Sequence, residues 1–290
     1  MNNLFVLAVA ALASAEDVQI AESPVYGYIQ NHAIPLAEKI RAAEEQMASE
    51  RIIGGNPSKL GAFPYQAGLL AQYAGLNKTG VCGGSLISSD KVATAAHCWY
   101  DGQNQAWIFT VVLGSVTLFT GGTRIESSAV VLHPNWFPLL ARNDVAVIYL
   151  PANVVFSKTI SPISLPSGSQ LRENFEGFTA VASGFGWTTE GGPITSNQVL
   201  SHVSLKVISN SICRFAFPLI LQSSNICTSS LEGASVCKGD SGGPLAMNID
   251  GKPVLIGITS FGSGLGCAVG LPAAFARVTS FMNFFSKHIE

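Results

Sequence analysis

Through most of this chain, short apolar runs rich in β-branched and aromatic residues are separated at close intervals by Gly, Pro, Asn and Ser. From Ile52 onward the runs predict strands at Gln66–Leu70, Gly84–Ser88, Lys91–Ala95, Trp107–Leu113, Val145–Leu150, Thr179–Ser183, Val199–Val207 and Val254–Ser260. Many short strands with turn residues between them point to an all-β sandwich or barrel. Two stretches depart from that pattern. Asn210–Phe217 reads as a short helix, and Val278–Ile289 as an amphipathic one with Phe281, Phe284, Phe285 and Ile289 along it. Phe156–Ser169, rich in Pro and Ser, reads as the join between two halves.

Ahead of this body the pattern changes twice. Leu4–Leu12 is a short apolar run followed by Ala13-Ser14-Ala15, so residues 1–15 read as a secretory signal peptide. The run lacks a nearby Lys or Arg, and it is shorter than the ~20 residues a membrane span needs. Glu16–Arg51 then carries seven acidic and three basic residues. Within it, Leu36, Ile40, Ala43 and Met47 fall on one face of a short helix, for which a solvated helical linker is the simplest reading.

Composition sharpens the picture. Of 290 residues, 48% are apolar and 12% charged, about half the usual charged share of ~25%. The formal net charge is −2, and residues 52–290 hold 13 basic and 11 acidic side chains, so the acidity lies in the leader. Nothing here invites nucleic acid or an anionic membrane. Six cysteines in a secreted chain predict three disulfides, among fifteen possible pairings. No Cys or His spacing suits a metal ion, and no cofactor is expected.

The candidate chemistry centres on Cys237-Lys238-Gly239-Asp240-Ser241-Gly242-Gly243-Pro244-Leu245. Its glycines permit a tight turn that presents one hydroxyl, Ser241. Serine is a weak nucleophile without a neighbouring base. His97, in Thr94-Ala95-Ala96-His97-Cys98, is the candidate base, because imidazole titrates near neutrality. Asp144, just ahead of the run Val145–Ile148, can fix the imidazole tautomer. Arg51 precedes Ile52-Ile53-Gly54-Gly55. A cut after Arg51 would create an α-amino group on Ile52 that needs a buried carboxylate, and Asp240 is the candidate. Glu16–Arg51 then reads as an activation pro-segment.

The order His97, Asp144, Ser241 matches the template for chymotrypsin-type enzymes. The sequence resembles a chymotrypsin-family serine protease from Ile52 to about Ile289. The likeness rests on Ile52–Gly55, Cys82-Gly83-Gly84-Ser85-Leu86-Ile87, Thr94–Cys98, Asp144–Leu150, Ser183-Gly184-Phe185-Gly186 and Gly239–Pro244. Ile256–Gly262 and Ala276–Phe281 look closest to insect digestive members. The resemblance implies two antiparallel six-stranded β-barrels, about 52–160 and 161–277, with the active site between them and a C-terminal helix at about 278–289. It implies disulfides Cys82–Cys98, Cys213–Cys227 and Cys237–Cys267, and an oxyanion hole from the N–H groups of Gly239 and Ser241.

The resemblance also places Ser235 at the floor of the primary pocket, with Gly262 and Ala273 as walls. Ser260-Phe261-Gly262 would pair with the substrate backbone. An uncharged floor rejects Arg and Lys and favours Phe, Tyr, Leu or Met; elastase-like or collagenolytic preference is the alternative. Gly80 and Val81 stand where several relatives carry a histidine that holds the precursor latent. Ser115–Ser128 lacks the acidic residues of calcium-binding relatives, so no calcium is expected. Asn77-Lys78-Thr79 is a glycosylation sequon. The implied protein is a monomeric digestive endopeptidase of the gut lumen. It acts on proteins and peptides, is activated by a trypsin-like protease and is open to protein inhibitors. A non-catalytic binding module of the same fold and a cascade regulator are the rival classes; the intact triad and the absence of a cysteine-rich adaptor in the leader speak against them.

Overall fold

The computed structural model describes residues 23–49, 58–186, 199–230, 235–263, 267 and 269–289. The expected signal peptide and the Arg51–Ile52 bond lie outside the described residues. No described helix is long and apolar enough to cross a membrane.

The first half comprises β1 (Gln66–Tyr73), β2 (Thr79–Leu86), β3 (Lys91–Thr94), β4 (Ala106–Leu113), β5 (Thr123–Ser127), β6 (Val130–Leu132) and β7 (Ala146–Tyr149). They form one antiparallel sheet in the order β5-β4-β1-β2-β3-β7-β6. β5 and β6 occupy opposite edges, yet only Ser128 and Ala129 separate them. So short a connection spans roughly 10 Å at most, so the sheet must wrap round until its edges nearly meet. It is barrel-like with seven strands, where the resemblance implied six, because the chain breaks pairing at Ser128. The second half is a closed six-stranded barrel, β10-β13-β12-β11-β8-β9. Its strands are β8 (Thr179–Gly184), β9 (Ser201–Ile208), β10 (Asn225–Thr228), β11 (Pro244–Ile249), β12 (Lys252–Phe261) and β13 (Ala273–Arg277).

The runs named from the sequence all fall on or within a residue or two of these strands. β5, β6, β10, β11 and β13 escape the pattern. β13 reads Ala-Ala-Phe-Ala-Arg, and alanine has little strand preference; its place between β10 and β12 decides its conformation.

Phe156–Ser169 is irregular, as a join should be. The core of the first half also takes in Leu255, Ile258 and Ala276 of the second, which has a further core of its own. Leu69, Leu86, Phe109 and Val147 lie in the first, and Phe175, Leu205, Ile256 and Phe275 in the second. The short helix is Asn210–Ala216, capped by the Ser209 hydroxyl accepting from the Ile212 N–H. The final segment is a 3₁₀ turn (Val278–Phe281) leading into the α-helix Met282–Ile289. Phe281, Phe284 and Phe285 bury against the core of the first sheet, and the Tyr149 hydroxyl meets His288 Nδ1 at 2.6 Å. Disulfides join Cys82–Cys98, Cys213–Cys227 and Cys237–Cys267, at sequence separations of 16, 14 and 30. Each lies within one half, and loops of such length typically contribute ~2–4 kcal/mol.

The leader departs from expectation. It is helical, with a π-turn (Ile29–Ala33) running into α1 (Ile34–Ser49), but it is no solvated linker. Val25, Ile29, Leu36, Ala37, Ile40 and Ala43 are all buried against the body.

Candidate active site

The site forms where loops of the two halves face each other. A 3₁₀ turn (Ala96–Cys98) after β3 carries His97, and the residue before the Val145 run carries Asp144. The turn before β11 carries Ser241. These residues, far apart in sequence, are fully or almost fully buried.

Asp144 accepts three hydrogen bonds. The His97 backbone N–H donates to Oδ1 at 2.9 Å, His97 Nδ1 donates to Oδ2 at 2.7 Å, and Ser260 Oγ donates to Oδ2 at 2.6 Å. A carboxylate can only accept, so Nδ1 carries a proton, and in the neutral imidazole Nε2 is then the nitrogen with the free lone pair. Ser260, whose backbone is expected to pair with substrate, also holds Asp144 through its hydroxyl.

The Ser241 turn is pinned from both sides. The Ser241 carbonyl accepts from the Gly83 N–H of the first half at 2.7 Å, and the Gly242 N–H donates to the Thr259 carbonyl at 2.8 Å. Gly239 has φ +94°, a conformation other residues adopt only with strain. Ser183 Oγ donates to Gln66 Oε1 at 2.7 Å, a further buried bond across the seam.

Asp240 turns inward. The N–H groups of Gly186 and Cys237 each donate to its carboxylate at 2.9 Å. A Cβ on Gly184 or Gly186 would fall 2.2 or 2.6 Å from carboxylate atoms of Asp240, so the two glycines make this seat possible. Burial pushes the Asp240 carboxyl up to about 6, and the two N–H donors offset only part of that. The fold therefore favours the protonated form. That contribution is fully present below the ordinary carboxyl value near 4 and is lost as pH rises through about 6. Asp240→Asn is expected to remove this slope, worth on the order of 3 kcal/mol, from the uncleaved chain. Urea midpoints of both proteins at pH 4 and pH 7 measure it, and parallel pH dependences would contradict it.

Beside Ser241 lies a cavity of about 740 Å³. Ser235 to Lys238, Thr259 to Ser263, Leu271 and Pro272 line it, together with Tyr26, Tyr28 and His32 of the leader. Ser235 and Gly262 both line it, and nothing lies within 4 Å of where a Gly262 Cβ would stand. Ala273 does not line it. It is buried in the second barrel's core at the start of β13, because strand alternation turns it inward. Phe261 packs edge-on against Phe217 at 5.1 Å. Asn77 is exposed in the β1–β2 loop, where a glycan has room. Among the described residues, the one His and Cys grouping is Cys82, His97 and Cys98, whose sulfurs are already bonded to each other.

Sequence reasoning missed what fills the groove. The Tyr28 ring stands edge-on to the His97 imidazole at 4.7 Å. Its hydroxyl sits beside Ser241 and the Gly239 N–H, and burial pushes it up to about 12, keeping it protonated. Neither contact has hydrogen-bond geometry: the Tyr28 hydroxyl and His97 Nε2 are both buried without a partner among the described residues. No hydrogen bond joins Nε2 to Ser241 in this structure. Leu36 presses on the turn itself, its Cδ2 2.2 Å from where a Gly239 Cβ would be.

The Trypsin family profile matches residues 52–285. Collagenase of Hypoderma lineatum is 38% identical over 244 residues, which is 84% of this chain and 89% of that protein. Brachyurin of Leptuca pugilator is 35% identical over 80% of this chain and 96% of its own. Chymotrypsin-2 of Vespa crabro is 33% identical over 82% and 99%. A solved structure titled HL collagenase superposes with a TM-score of 0.73 at 37% identity, covering 82% of this chain and 98% of that one.

Proposed function

The chain belongs to the trypsin family of serine endopeptidases, and from that premise we propose that it is a secreted precursor whose mature form cuts after large apolar residues. The observation that carries the preference is the lining of the cavity beside Ser241. Ser235 is neutral, and no Asp or Glu stands among the described lining residues. An Arg or Lys side chain would be buried there unpaired, which is costly. Phe, Tyr, Leu or Met would remove apolar surface from water on entering.

The chemistry follows from the hydrogen bonds. Ser241 Oγ attacks the scissile carbonyl carbon while His97 Nε2 takes its proton. Asp144 keeps Nδ1–H in place and stabilises the imidazolium. The carbonyl oxygen, now an oxyanion, is held by the N–H groups of Gly239 and Ser241. His97 then gives its proton to the leaving amine, and an ester to Ser241 remains. Water, activated by the same imidazole, releases the acid and restores the serine. Ser260 acts at one remove, by fixing Asp144.

Activation follows a cut after Arg51 by a trypsin-like protease. The Ile52 amine then supplies a cation for the buried Asp240 carboxylate. A digestive role in a gut lumen is supported by the likeness of Ile256–Gly262 and Ala276–Phe281 to insect digestive members. A collagenolytic preference is the second reading, favoured by the likeness to Hypoderma lineatum collagenase. The test uses the chain cut after Arg51 and freed of its leader. Chromogenic peptides ending in Phe or Leu are expected to give kcat/KM about 10²–10³-fold above those ending in Arg or Lys, on the cost of an unpaired buried charge. Equal or reversed preference would overturn the pocket reading.

A further inference from the structure

The leader is gripped at a second place, remote from the catalytic groups. Glu44 of α1 is buried, and its carboxylate fills a pocket of backbone donors. The Leu118 N–H donates to Oε1 at 2.6 Å, the Phe119 N–H donates to both oxygens at 3.1 and 3.0 Å, and Thr120 Oγ1 donates to Oε2 at 3.0 Å. Arg124 Nη1 donates to the Leu118 carbonyl at 3.0 Å and braces the loop. Consecutive N–H groups converging on one point make an anion-binding concavity. Around it, Arg41 covers the Phe119 ring at 4.8 Å, and Leu36 and Ile40 pack with Leu70, Leu118 and Phe185.

At the other end the hold is poor in polar terms. Tyr28 buries its own hydroxyl and His97 Nε2 without good partners. The described residues of the leader also do not mimic a substrate. Their backbone bonds go to Asp101, from the Ile29 N–H to Oδ2 at 2.8 Å and from the Gly27 N–H to the carbonyl at 3.4 Å. Among the described residues none goes to Ser260–Gly262. All six cysteines lie between Cys82 and Cys267, so no disulfide ties the leader to the body.

We infer that the Leu118–Thr120 loop is a carboxylate-binding site on the mature enzyme, and that the leader occupies it through Glu44 as a detachable inhibitor. Cutting the Arg51–Ile52 bond then breaks the chain without freeing the groove. The leader leaves in a second step, and the released segment binds back and blocks Tyr28's place beside His97 and Ser241. This rests on the reading above that the cut falls after Arg51.

The full chain carrying Ser241→Ala, cut after Arg51, tests this without any need for catalysis. The leader is expected to co-elute with the body on gel filtration until diluted. Labelled peptide 16–51 is then titrated onto the separated body and followed by fluorescence anisotropy. Glu44→Gln in the peptide is expected to weaken binding about tenfold or more, because it loses charge-assisted bonds while keeping its shape. Glu45→Gln, on the exposed neighbour, is expected to bind as the unaltered peptide does. In the active enzyme the same peptide should inhibit chromogenic hydrolysis, with the same ranking of variants. Equal binding by the Glu44→Gln peptide, or no binding by the unaltered peptide, would overturn the inference. An enzyme inactive on every peptide would instead overturn the proposed function and leave the binding result to stand on its own.

Discussion

Ser241→Ala, in the chain cut after Arg51 and separated from its leader, is expected to lower kcat on a Phe-ending chromogenic peptide by about 10⁴–10⁶-fold. The alanine removes the only atom that forms the acyl ester, so no partial version of the two-step route survives. What remains is positioning and the oxyanion donors, which act on water attack alone. KM should change little, because the cavity lining is untouched. Single-turnover and steady-state rates of both proteins decide the matter, and a variant retaining a tenth of the parent rate would end the assignment of Ser241 as nucleophile. Binding of a slowly cut peptide to the variant separates lost chemistry from lost folding.

Asp144→Asn carries the second large effect, about 10⁴ in kcat. The structure shows why an isosteric change should matter so much. Oδ2 accepts from both His97 Nδ1 and Ser260 Oγ, and Oδ1 accepts from the His97 N–H. An amide offers one accepting oxygen where three donors converge, so one face must present an NH₂ group to a donor. The imidazole escapes that clash by moving its proton to Nε2, the atom that has to act as the base. Ser260→Ala removes one donor and leaves the tautomer alone, so its loss should be far smaller. Comparable losses in the two variants would show that the hydrogen-bond count, rather than the tautomer, governs the rate.

The candidate triad was legible in the sequence because each member sits in a short local signature. Small residues surround His97, an apolar run follows Asp144, and glycines flank Ser241. The resemblance pointed to Ser235, six residues before Ser241, and Ser235 does line the cavity. Ala273 did not follow, because a side chain's direction at the first residue of a strand depends on register with β10 and β12. Nor did Tyr28. Nothing near it in the chain sets it apart, and its partner His97 is 69 positions away. Glu44 had a usable signal. It continues the line of Leu36 and Ile40 at four-residue steps, so a carboxylate falls on the apolar face of α1. A charge in that register demands buried donors, and only the fold could say that Leu118–Thr120 provide them.

The helix Met282–Ile289 closes the core of the opposite half. Protein synthesis runs from the amino end, so residues 66–149 emerge from the ribosome well before the phenylalanines at 281, 284 and 285. A nascent first sheet therefore meets water with an open apolar seam, however complete its own strands are. Order of manufacture and order of completion run in opposite senses, and the early half can set into its final form only when the tail of the molecule folds back to meet it.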